Sequence, residues 1–254
     1  MKKVILFTAL FMSFITGFSQ TKKGKPTDSS KEEMELGIYR QAIKYGDANV
    51  AISNLYILIA KHSEITAYKD SLASIYFQSG QYNPCLRVCS ELIQARPNDS
   101  NLLRMSAMSH QGLGMPVEAI ADYDKVIKIT KNIYDIYQKA GLEYRIKRLQ
   151  ESKVNIEAVI KDAKETDKIV IYIDQENKQT VPMRAAAFNL YGMIARDFND
   201  TASARYFFNE AIKIYPEFYF ANANIKVLDE MAAKKSEAPA PVSDKAPSPV
   251  DKKK

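Results

Sequence analysis

The sequence predicts an all-α fold: a right-handed α-solenoid of about five helical hairpins, closed by a C-terminal capping helix and interrupted by one small β-hairpin. Three observations carry this. Gly46, Gly80 and Gly114 stand 34 residues apart, a spacing proper to a helix–turn–helix repeat. Around each glycine, apolar residues recur at spacings of three and four, which places one stripe on each of two short helices. Small or apolar residues return in the same register: Cys85 falls on Ala51 and Ala119, and Leu92 on Leu58 and Val126.

Residues 1–19 read as a secretory signal peptide. Lys2 and Lys3 precede the apolar run from Val4 to Ile15, and Gly17 and Ser19 supply small residues at the −3 and −1 positions of a cleavage site. The run is short against the roughly 20 residues of a membrane span, with an uncleaved anchor as the alternative. Residues 20–31 hold Gly24, Pro26 and Ser29-Ser30 and read as a flexible lead-in.

The expected repeats are 32–65, 66–99, 100–133, 134–165 and 185–218. In the first, Ile38, Tyr39 and Ala42 lead to a turn at Gly46-Asp47, then Ala51, Leu55 and Leu58 follow. The second matches with Leu72, Ala73 and Tyr76, then Cys85, Cys89 and Leu92; the third with Ser106, Ala107 and His110, then Ala119, Tyr123 and Val126. Glycine at each turn supplies the backbone freedom to leave one helix and start the next. Pro97 lies just past a second helix, where it stops propagation without breaking it. The fourth copy is degenerate, with a leading helix expected over Ile136–Arg148 and a second over Ser152–Ala163, and no glycine between them.

The surplus length before the last repeat lies at 166–183. Ile169, Ile171 and Ile173 alternate with Val170 and Tyr172, Asp174–Lys178 is turn chemistry, and Gln179–Met183 returns. This predicts a two-stranded hairpin, packed either on its own chain or against a strand of a second chain. Residues 218–231 (Phe220, Ala223, Val227, Leu228) form a capping helix. The segment 232–254, rich in proline, alanine and lysine, is expected to be disordered.

The last repeat carries a specific resemblance. Phe188, Tyr191, Gly192 and Ala195, then Ala204, Phe208 and Ala211, then Pro216, stand at the spacing of the tetratricopeptide repeat (TPR) pattern. The chain departs from the pattern in having no tryptophan, Lys69 at a bulky position and Cys85 at an alanine position. The resemblance implies a non-catalytic scaffold that binds a protein or peptide on the concave face of its leading helices. By register, that face would hold Arg40, Lys44, Asp70, Phe77, Gln78, Arg104, Met108, Gln111, Arg145, Asn189, Met193 and Arg196. Its five basic residues against one acidic would suit an acidic or carboxylate-ended partner. A structural subunit docking through the 168–183 hairpin is the alternative, and self-association stays open.

Catalytic motifs are absent: no HExxH, no G-x-S-x-G and no Walker loop, so the chain is not expected to be an enzyme or to need a cofactor or metal. Gly112-Leu113-Gly114 has Val117 where a nucleotide loop needs its third glycine. His62 reads as a helix-end residue and His110 as a core or groove residue. Cys85 and Cys89, four apart on one helix, read as buried free thiols, with a redox or metal pair as the alternative. The net charge of +6 is concentrated in the ends; the stretch 32–231 is nearly neutral, which argues against a nucleic-acid groove and for at most peripheral membrane contact. Phe18-Ser19-Gln20 resembles export signals of Bacteroidota-type bacteria, so the expected location is the periplasm, with secretion or peripheral membrane attachment as alternatives.

Overall fold

The structure, a computed structural model, describes residues 29–237. The expected signal peptide at 1–19 and the expected tail beyond Glu237 lie outside the described residues, as does most of the lead-in. The chain falls into two compact units, divided between Lys131 and Asn132. The first holds helices α1 (Ser29–Tyr45), α2 (Ala48–Lys61), α3 (Thr66–Gln78), α4 (Tyr82–Ala95), α5 (Ser100–Gly112) and α6 (Pro116–Thr130). The second holds α7 (Ile133–Arg145), α8 (Leu149–Asp162), strands β1 (Lys168–Tyr172) and β2 (Lys178–Pro182), then α9 (Met183–Asp197), α10 (Thr201–Ile214) and α11 (Tyr219–Glu237). The fold is all-α, with one small antiparallel hairpin.

Every leading helix ends in the same hydrogen-bonded turn. Gly46, Gly80 and Gly114 sit at φ values of 72°, 72° and 73°, and each donates its N–H to the carbonyl three residues back. The next residue donates to a carbonyl five back: Asp47 to Ala42, Gln81 to Tyr76, Met115 to His110. This capping pattern needs one left-handed residue, and glycine takes it without steric cost. The fourth and fifth copies make the same turn without glycine, with Lys147 (φ 63°) and Asn199 (φ 62°) in its place. Lys147 therefore corrects the expected Ile136–Arg148 helix: α7 stops at Arg145, and α8 begins at Leu149 rather than Ser152.

Two further boundaries differ from expectation. The lead-in was expected to run to residue 31, but α1 starts at Ser29, favoured by Glu32 in its first turn. The disordered tail was expected from residue 232, but α11 continues to Glu237. Ala232, Ala233, Lys234 and Lys235 are strong helix formers and carry the helix past the expected boundary.

The trailing helices supply the core at fixed register. Ala51, Cys85, Ala119 and Ala204 are fully buried; so are Leu55, Cys89, Ile156 and Phe208, and then Leu58, Val126, Val159 and Ala211. Each large aliphatic among them contributes about 1.5–3 kcal/mol by leaving water. In the second unit α9 is the hub, packing on α7, α8, α10, α11 and both strands. Its run Ala185-Ala186-Ala187 is wholly buried, as a helix with neighbours on several sides requires.

The hairpin docks on its own unit. Lys168 pairs with Pro182 and Tyr172 with Lys178; Ile169 and Val181 point into the core, while Val170 and Tyr172 point out. The Met183 N–H donates to the Asp167 carbonyl at 2.8 Å and closes the hairpin base. The Gln179 side chain brackets the start of α11, donating to the Glu217 carbonyl at 2.7 Å and accepting from the Tyr219 N–H at 3.0 Å.

Candidate functional site

Two positions twelve residues apart, one on a leading helix and one on its trailing partner, face each other within a repeat. In the third repeat they are His110 and Asp122, 3.0 Å apart; in the fourth they are Glu143 and Asn155, whose amide donates at 2.7 Å. Asp122 is buried and also accepts from Ser106 at 2.6 Å and Lys125 at 2.9 Å. A buried carboxylate with these partners is structural glue between α5 and α6. The Ser106 hydroxyl is committed to Asp122, so Ser106, His110 and Asp122 do not form a nucleophile–base pair. His62 caps α2 and lies 3.5 Å from Glu32.

Cys85 and Cys89 are free and buried, with their sulfurs 3.8 Å apart. Cys85 also meets the Ala73 carbonyl at 3.5 Å, as Ser152 in the equivalent place meets the Ala140 carbonyl at 2.8 Å. The Cys89 thiol is pushed up by its hydrogen bond to Cys85 and by burial, which keeps it protonated and inert. Among the described residues no group of histidine, cysteine and carboxylate side chains is arranged to hold a metal ion, and no helix is long and apolar enough to cross a membrane.

The residues expected on the leading-helix face separate by unit. In the first unit Arg40, Lys44 and Gln78 are exposed, and Met108 and Gln111 are half-buried on α5. Phe77 is half-buried and packs against Tyr82, rings 6.0 Å apart. Arg104 reaches Asn101 at 3.4 Å. Asp70 is committed elsewhere, in an ion pair with Arg96 at the end of α4, which also holds Asp99. The first unit also has a groove of about 490 Å³ between α2 and α4, floored by Leu72 and Tyr76 and lined by none of the expected residues.

In the second unit three of the four expected residues lie together on α9. Asn189, Met193 and Arg196 share one face of α9, and the buried Asn189 accepts a 2.9 Å hydrogen bond from Asn224 of α11. Arg196 extends the row, donating to Asn224 at 3.4 Å and to the Tyr144 hydroxyl of α7 at 3.3 Å. Arg145 of α7 is exposed nearby in sequence, and Lys147 reaches Asp197 at 2.7 Å. Burial pulls the Asp197 carboxyl up, but hydrogen bonds from Lys147 and Tyr144, with the Lys147 and Arg196 charges, hold it below the usual carboxylate range. The Tyr144 hydroxyl is pushed up by burial and by Asp197. Beside this row opens a pocket of about 510 Å³ lined by Lys147, Arg196, Asp197 and the apolar Leu149, Val227 and Met231.

Sequence reasoning missed Asn224, Tyr144, Lys147 and Asp197. Asn224 follows Asn189 by 35 residues, one period plus one, so treating the last helix as a further leading helix and not merely as a cap would have found it.

No family model matches the sequence, and no curated protein does either. Solved structures do. A tetratricopeptide repeat protein from Parabacteroides merdae superposes with a TM-score of 0.62 at 13% identity, over 82% of this chain and 75% of that one. YrrB, a TPR protein with an unusual peptide-binding site, gives 0.59 at 15% identity over 82% of this chain and 95% of its own. MamA from Desulfovibrio magneticus gives 0.57 at 11% identity over 74% and 97%. The fold is that of the tetratricopeptide repeat proteins. At such identities the likeness fixes the TPR architecture, and the side chains on the TPR face are this chain's own.

Proposed function

We propose that the protein is a protein-interaction scaffold that holds an acidic or carboxylate-ended peptide on the leading-helix face of its TPR fold, within the cell envelope. The observation that carries this is the row Asn189–Asn224–Arg196–Tyr144, which crosses three leading helices of one unit. Its polar groups are held by one another before any partner arrives, so little side-chain freedom remains to be lost on binding. Arg196 offers a planar guanidinium suited to a carboxylate, flanked by an apolar pocket wall that can take a side chain. YrrB has a peptide-binding site on a related architecture, which supports the reading by analogy of fold.

Affinity capture from envelope extracts tests it. The full chain is compared with a double variant, Arg145→Glu and Arg196→Gln, which reverses an exposed charge on α7 and removes the guanidinium from the row while leaving Asn189 and Asn224 paired. A partner retained by the native chain and lost by the variant is the expected result. Equal retention removes the acidic-ligand reading, and capture of nothing removes the scaffold reading.

A further inference from the structure

β1 is an unprotected sheet edge, and its composition is complementary to itself. The Ile173 N–H donates to the Asn177 carbonyl at 2.9 Å, which sets the phase of the ladder. Alternation in an antiparallel pair then makes Ile171–Gln179 and Ile169–Val181 the bonded pairs, and turns the N–H and C=O of Val170 and Tyr172 away from β2. Among the described residues no group outside the hairpin bonds either backbone. Their side chains stand in solvent as well, Val170 at 46% and Tyr172 at 66% exposure. Native edges are commonly blunted by a central charge or a proline, and β1 has neither between Ile169 and Ile173.

We propose that β1 is a self-association edge, on which a second copy of this chain pairs its own β1 antiparallel about a two-fold axis at Ile171. The two hairpins then form one four-stranded sheet. This register sets Val170 opposite Tyr172 of the other copy, an aromatic–β-branched pair, with both residues presenting outward-facing backbone groups to each other. It also brings Lys168, at each end, alongside the turn that follows the other copy's strand, whose acidic residue is Asp174. Asp174 is held ionised, its carboxyl drawn down by hydrogen bonds from the Asn177 side chain and from the Asn177 and Glu176 backbone. Shifting the axis to Val170 sets Lys168 against Tyr172, and shifting it to Tyr172 sets Asp174 against Val170; both discard the charge match. A strand that fits itself in apolar content, backbone phase and charge at once is what an isologous contact requires, and it selects a second copy over a foreign strand. The proposal is independent of what the leading-helix face binds.

Sedimentation velocity of the full chain, from about 1 to 100 µM, across the range in which weak homodimers form, tests it. The native chain should show a concentration-dependent dimer. Val170→Pro removes an N–H that β2 does not use, so the hairpin keeps its ladder while the edge is blocked; this variant should stay monomeric and still retain any partner of the leading-helix face. Lys168→Glu should weaken the dimer by roughly tenfold, since two attractive pairs become repulsive, and that loss should shrink in high salt. A native chain that is monomeric throughout overturns the proposal. So does a Val170→Pro chain that dimerises like the native one, or a Lys168→Glu chain of undiminished affinity.

Discussion

Gly80 and Gly192 sit in the same repeat pattern for different physical reasons, and an added methyl group separates them. At Gly80 a Cβ would meet nothing within 4 Å, so the residue is there for its φ of +72° alone. Gly80→Ala should cost about 1 kcal/mol, the penalty of a left-handed alanine. At Gly192 the backbone is an ordinary helix, but a Cβ would stand 2.5 Å from the Phe208 ring. Gly192→Ala therefore has to move an aromatic ring in a packed core and should cost about 1–3 kcal/mol. Urea denaturation of both variants checks the ordering, and a Gly80 variant as stable as the native chain would show that the turn conformation is not what the glycine serves. The same logic explains why Lys147 and Asn199 can replace glycine. The turn needs the conformation rather than the residue, and asparagine tolerates it better than most.

The hairpin shows how a short element gains stability from its host. Two strands alone are marginal in water, and here one face is closed by Ile169 and Val181 while Gln179 ties β2 to the start of α11. Ile169→Ala should destabilise the second unit by roughly 2–4 kcal/mol, read as an earlier unfolding of that unit with the first unit's signals unchanged. An unaltered melt would mean that the hairpin rides on the surface without supporting it. The hairpin's existence was legible from the alternation of Ile169, Val170, Ile171, Tyr172 and Ile173, because strand patterning has a period of two and needs no long-range information; which face turns inward is set by the packing of Ile169 and Val181. The repeat turns were legible wherever glycine marked them. Lys147 hid the fourth turn, since a lysine gives no local sign that it will adopt φ of 63°. The end of α11 was misread because proline in the tail outweighed the helix formers before it. In the site, register alone puts Asn189, Met193 and Arg196 on one face of α9, as helical spacing dictates. Their partners Asn224 and Tyr144 come from helices 28 to 52 residues away from Arg196, and only the packing of α7, α9 and α11 brings them together.

Across the whole chain, the same short-range construction predicts how stability is distributed. Each unit has its own hydrophobic cluster, and within a unit helices pack mainly on sequence neighbours: α3 on α4, α4 on α5, α5 on α6. Stability in such an array is close to a sum of local terms and neighbour interfaces, so an element with neighbours on both sides opens less often than a terminal one. In the first unit α4 is flanked by α3 and α5, whereas α1 rests chiefly on α2 and leaves Met34, Ile38 and Tyr45 exposed. In the second unit α9 packs on α7, α8, α10, α11 and both strands, while α11 from Asp229 to Lys234 presents exposed side chains, Met231 among them. Native-state amide exchange should therefore be slowest in α4 and α9 and fastest in α1 and the end of α11. The gradient comes from counting interfaces rather than from helix propensity, because the alanine- and lysine-rich end of α11 is the better intrinsic helix and should nevertheless exchange first. Equal protection in α1 and α4 would mean that the first unit opens only as a whole, and nearest-neighbour packing would no longer account for its stability.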